Sequence, residues 1–178
     1  GRGIAKLAFP AALFRMAEGR VRRVARRQIG NNDGLACLDV NGAGRAELFT
    51  STYDILPNIR LFEDDPGLGG TGPAVLRLEG TRLTRELLDR IEYGFGPRVF
   101  GGRHATLGSV VAFGNDRDPG WDFYFYKDGP PRRRRLSVWN TLGMHSGLMA
   151  DLDGDGSREF VLGGGEVVTF GLGPELSR

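Results

Sequence analysis

Apolar and polar positions alternate along short runs of this chain, and glycine or proline interrupts nearly every run. ALFRMAEGRVRRV at 12–24 and AVLRLEGTRLTRE at 74–86 share one plan: an alternating run, Glu-Gly, and a second alternating run. A period of two puts successive side chains on opposite faces of a strand, and a short Gly-containing joint reverses the chain. Both segments are therefore predicted as β-hairpins turning at Glu18-Gly19 and Glu79-Gly80. PNIRLFEDDPG at 57–67, FYFYKDGPPRRRRLSVW at 123–139 and VLGGGEVVTF at 161–170 are further candidate strand pairs. Over 11–29 the hairpin is preferred to an amphipathic helix. Over 82–92 the spacing of Leu83, Leu87, Leu88 and Ile91 suits a helical face as well as a strand, and both readings stand.

Composition points the same way. Glycine, at 29 of 178 residues, is about twice its ordinary usage, and with 9 prolines it favours turns and short elements over long helices. The expected fold class is all-β.

The strongest repeat lies in the loops. LDVNGAGRAELFT at 38–50 and ADLDGDGSREFVL at 150–162 superimpose without a gap at an offset of 112, matching Asp39 with Asp151, Asn41 with Asp153, Gly44 with Gly156 and Glu47 with Glu159. An apolar run follows the closing glutamate in both. GNDRDPGWDFYFY at 114–126 is a poorer third copy in which Asp122 closes the loop and Asp116 and Asp118 are further candidate ligands. The openings near 39, 114 and 151 leave room for a degenerate or loopless unit between the first two.

Calcium is a hard cation that takes six to eight oxygen ligands. In DLDGDGSRE, Asp151, Asp153 and Asp155 alternate, so one turn of backbone can aim three carboxylates at one point; Gly154 and Gly156 permit the positive φ of a tight wrap. Ser157 offers its carbonyl and Glu159 closes the shell. An EF-hand would need its bidentate Glu at the twelfth position, which here is Leu162. The first loop is weaker: Asp39, Asn41 and Glu47 remain, but Ala43 stands where the fifth ligand should be.

A ninth-position acid followed at once by an apolar strand resembles the calcium loops of FG-GAP/VCBS repeats, found in integrin α-subunit propellers. PNIRLFEDD after the first loop is similar to the stretch that follows such loops in the cartilage-acidic-protein-like branch. The resemblance implies blades of four antiparallel strands. At about 40 residues each, four fit in the chain, a partial propeller or one completed by other segments. Residues 1–30 would be a basic hairpin of the preceding blade, and 31–178 the repeats, with loops at 39–47, 114–122 and 151–159. It also implies a non-catalytic, Ca²⁺-stabilised module that docks onto other protein subunits. Such loops work at the calcium levels of extracellular, secretory or luminal spaces.

Charge adds one feature. Residues 1–30 hold eight Lys/Arg against Glu18, which leaves the rest of the chain at −5 within an overall +2. Such an arm could make peripheral contact with anionic lipid, or form the solvated face of a strand pair. No aromatic-and-basic platform for nucleic acid follows it, and no run of eighteen apolar residues exists to span a membrane. Arg132 to Arg135, on a strand, would point two each way.

Cys37, the sole cysteine, sits among apolar neighbours in LACLDV and reads as a small buried hydrophobe. His104 and His145 are isolated and read as polar loop residues, and no nucleophile elbow or phosphate loop is present. Two alternatives accompany the docking module: a lectin-type propeller stacking glycans on Trp121, Trp139, Tyr124 and Tyr126, and an accessory region of a larger hydrolase.

Overall fold

The computed structural model describes residues 10–28, 34–52, 72–91, 98–115, 120–137, 146–154, 158–163 and 167–170. Within them every regular element is a strand, and all pairing is antiparallel. The strands are β1 (Pro10–Ala17), β2 (Arg20–Gln28), β3 (Leu35–Leu38), β4 (Glu47–Thr52), β5 (Gly72–Glu79), β6 (Arg82–Leu87) and β7 (Val99–His104). Then come β8 (Gly108–Asn115), β9 (Gly120–Tyr126), β10 (Arg132–Ser137), β11 (Ser146–Ala150), β12 (Glu159–Gly163) and β13 (Val167–Phe170). They form four sheets in chain order: the hairpin β1-β2, sheet A (β3-β4-β5-β6), sheet B (β7-β8-β9-β10) and sheet C (β11-β12-β13).

Both predicted hairpins form, with different turns. Glu18 and Gly19 have φ of 53° and 70°, positive at both central positions as a type I′ turn requires. In the second hairpin Glu79 pairs with Arg82, so the turn is Gly80-Thr81, one residue later than expected, and only Gly80 is positive, at 63°. That is the II′ pattern, which needs glycine at its first position alone. Residues 82–87 are strand, which decides between the two readings of that segment: Leu83 is buried against Leu76 and Ala25, a contact the β5 pairing sets up. The hairpins within 123–139 and 161–170 form as β9-β10 and β12-β13; the 57–67 candidate lies outside the described residues.

Alternation decides how the sheets meet. On β8, Val111 and Phe113 join Phe49, Val75 and Tyr124 in the core between sheets A and B, while Val110 and Ala112 join Trp121, Phe123 and Phe160 between sheets B and C. Sheet B is thus buried on both faces. Ala25 and Leu13 hold the N-terminal hairpin on the other face of sheet A, against Leu76 and Leu83. The first strands of the three larger sheets lie side by side, β7 touching both β3 and β11. Gly102 makes the second approach possible, since a Cβ there would lie 2.7 Å from the sulfur of Met149.

One ionic knot crosses between sheets A and B. Asp122 on β9 is fully buried, and its two oxygens accept from Arg133 (3.0 and 2.8 Å) and from Arg135 (3.0 Å) on β10. Arg133 also donates to Asp89, just beyond β6, at 2.7 Å. The four-arginine run does alternate: Arg133 and Arg135 turn to Asp122, while Arg132 and Arg134 are exposed. Cys37 is exposed rather than buried, because β3 shows alternate residues to solvent and Cys37 falls on the outer set.

Burial pushes the phenols of Tyr124 and Tyr126 above their ordinary value, and their buried hydroxyls make no hydrogen bond within the described residues. The neutral form is favoured in the fold, so stability is complete below the unfolded tyrosine pKa of about 10 and is lost as pH rises above it. Each phenol should contribute a loss on the order of 1.4 kcal/mol per pH unit in that window. Urea unfolding followed from neutral to alkaline pH should show the decline, and Tyr124→Phe should reduce it. An unchanged slope would contradict the burial.

Candidate functional site

The two acidic loops occupy equivalent places. Each joins the first strand of a sheet to the second, 39–46 in sheet A and 151–158 in sheet C. In each, the residue before the loop pairs with the closing glutamate, Leu38 with Glu47 and Ala150 with Glu159. In each, that glutamate reaches back to the amide of the loop's second residue: Val40 N–H donates to Glu47 at 3.3 Å, and Leu152 N–H donates to Glu159 at 2.7 Å. Gly42 and Gly154, also 112 apart, have φ of 72° and 78°, which a Cβ would strain.

Their contents then diverge. In the first loop Asp39 accepts from the amides of Ala43 and Gly44 (3.1 and 2.7 Å), Asn41 accepts from Ala43 (2.9 Å), and the Asn41 amide donates to Glu47 (3.2 Å). Side chains here serve the backbone, in the manner of Asx turns. In the second loop Asp151 accepts from Gly154 at 2.7 Å. Asp151, Asp153 and Glu159 each bring a carboxylate oxygen within 4.8 Å of the others, and the two aspartates are exposed. Oxygens that close repel one another in water, so the arrangement suits a cation. Asp155, Gly156 and Ser157 lie outside the described residues.

The third copy has another place in the fold. Its ends, Gly114 and Asn115 on β8 and Gly120 to Asp122 on β9, bound a connection between the second and third strands of sheet B, not the first and second. Asp122, expected to close a loop, is instead the buried partner of two arginines. Asp116 and Asp118 lie outside the described residues. The counterpart of the acidic loops in sheet B is the short turn 105–107, which holds no acidic residue.

That turn has an acceptor which sequence reasoning missed. His104 is buried at the end of β7 rather than in a loop, and its Nδ1 accepts the amides of Thr106 and Leu107, each at 3.2 Å. The signal was faint: a histidine two residues before a threonine, followed by Gly108, whose φ of 79° completes the reversal. His145 and Trp139 lie outside the described residues. Of the aromatic residues expected to stack glycans, Trp121 and Tyr124 are buried between sheets and Tyr126 is largely covered.

No protein-family model, curated protein or solved structure matches the chain. No helix within the described residues is long and apolar enough to cross a membrane.

Proposed function

We propose that this chain is a calcium-stabilised β-propeller segment, a non-catalytic module that docks into a larger protein assembly. The reading rests above all on one repeated detail: two loops 112 residues apart close through the same glutamate-to-amide bond at the same step of their sheets, and one gathers three carboxylates. Sheets that stack in chain order with first strands adjacent support the blade reading. Asp151, Asp153, Asp155 and Glu159 would hold Ca²⁺ with the Ser157 carbonyl. The ion would join the ends of β11 and β12, stabilising the fold rather than reacting. The 39–47 loop keeps its shape through its own amide bonds, and Asp39, Asn41 and Glu47 make at most a weaker site. An extracellular, secretory or luminal compartment suits such an ion requirement.

The test is thermal unfolding with Ca²⁺ against chelator. At free calcium one hundred times the dissociation constant, linkage gives about 2.7 kcal/mol. For a chain of this size that is a rise of about 5–10 °C in Tm. Mg²⁺ should reproduce little of it, since it keeps its own water and demands stricter octahedral geometry. Equal melting in calcium and chelator would overturn the reading.

A further inference from the structure

The register of the β1-β2 hairpin gathers arginines on its inner side. Arg15 pairs with Arg22 and Ala17 with Arg20, so these side chains share a face with the Leu13–Ala25 pair, which packs on Leu76 and Leu83 of sheet A. The pairing skips Val24, a β-bulge that leaves both Val24 and Ala25 on this side. Arg15, Ala17, Glu18, Arg20, Arg22 and Val24 thereby line a pocket of about 340 Å³. Phe14, Met16, Val21 and Arg23 belong to the opposite face.

Charge in this pocket is out of balance. Like charges directly opposite one another weaken a strand pair, and Arg15 stands opposite Arg22. Among the described residues none of the three arginines makes an ion pair or a side-chain hydrogen bond, not even with Glu18 in the same pocket. Arginines on other strands are answered by acids, Arg77 by Glu86 and Arg133 and Arg135 by Asp122. Three guanidiniums against one carboxylate leave the pocket two positive charges in excess, and all three are exposed to an incoming ligand.

We propose that this pocket binds a phosphate monoester, its oxygens held by Arg15, Arg20 and Arg22. Each guanidinium offers a planar fork that matches two phosphate oxygens. A monoester carries nearly two negative charges at neutral pH, the charge the pocket lacks. Ala17 and Val24 give the carbon side of the ester an apolar wall. A bilayer would instead be met by a face that combines apolar and basic residues, as the opposite side of the hairpin does with Phe14, Met16, Val21 and Arg23. The site belongs to a different sheet from the 151–159 loop and does not rest on the calcium reading.

Calorimetric titration of the full chain with glycerol 3-phosphate, at low ionic strength and without added calcium, tests this. The wild type should bind one equivalent, and ethyl sulfate, which carries a single charge, should bind several-fold more weakly. Arg15→Gln and Arg22→Gln should each weaken glycerol 3-phosphate binding about tenfold or more, the scale of a charge-assisted bidentate pair. Arg23→Gln removes the same charge from the next residue on the opposite face and should change the affinity less than about twofold. Circular dichroism checks folding; if Arg22→Gln fails it, Arg20→Gln takes its place. A wild type that binds no glycerol 3-phosphate overturns the proposal, including one that binds only phosphatidic acid vesicles, which would make a bilayer the occupant. Equal affinity for ethyl sulfate, or a loss in Arg23→Gln as large as in Arg22→Gln, overturns it as well, since either result would mean diffuse attraction rather than a built pocket.

Discussion

The double substitution Arg133→Met, Arg135→Met should cost about 3–5 kcal/mol, because it leaves the carboxylate of Asp122 buried with its arginine partners removed. Asp122 is wholly inside, whereas the arginines reach solvent with 36% and 23% of their side chains exposed. The asymmetry sets the order of effects. Removing the cations strands a charge that cannot reach water; removing the anion leaves cations that can. Adding Asp122→Val to the double variant should therefore recover much of the loss, as apolar replacement of a whole buried ionic group often does. Asp89→Asn alone should cost less than about 1 kcal/mol, since that pair is partly exposed and screened. Urea unfolding measures all three. A double variant near wild-type stability, or a triple variant no better than the double, would mean that the knot is not what holds β10 to β9.

Trp121→Ala should cost a similar amount, about 3–5 kcal/mol, by opening a cavity at the junction of sheets B and C. The indole is fully buried, packed on Phe100 at 5.3 Å between ring centroids and on Phe160 at 6.0 Å. It also covers the bare backbone of Gly114, its cross-strand partner, where a Cβ would lie 3.2 Å from the ring. Trp121→Phe should cost less, as an aromatic ring keeps part of the contact with Phe160. Near-ultraviolet circular dichroism and urea unfolding read the change. A loss below about 1 kcal/mol would show that sheet C is not docked through this cluster.

Much of the fold was legible because two of its signals are local. The Glu-Gly hairpins carry their turn chemistry within a few residues, and alternation assigns each strand's faces without knowing its neighbours. The turn shift to Gly80-Thr81 was not legible, since a glycine can serve as the second central residue of a I′ turn or as the first of a II′ turn, and the choice follows from the Glu79–Arg82 register. Segment 82–92 shows the limit of periodicity: Leu83 and Leu87 fit either period, and the β5 partner decides. The loops at 39 and 151 were legible as loops because their acidic residues and glycines lie in one short stretch. The third copy misled because an acidic, Gly-rich connection looks alike wherever it falls in a sheet. Asp122 could not have been placed from composition, as its partners lie eleven and thirteen residues on. Cys37 shows the same limit: apolar neighbours along the chain do not fix which side of a strand is covered.

The central claim is that 151–159 is a calcium loop and 39–47 a self-bonded relative of it. Calorimetric titration with Ca²⁺ of wild type, Asp153→Ala and Asn41→Ala, each first shown to be folded, tests it most directly. Asp153 belongs to the group of three carboxylates, whereas Asn41 serves the amide of Ala43 and the side chain of Glu47. Affinity in such loops follows the number and charge of the ligands. The account predicts that Asp153→Ala abolishes the tighter binding event and that Asn41→Ala leaves it nearly unchanged; the reverse order, or a wild type that takes up no calcium, would contradict it.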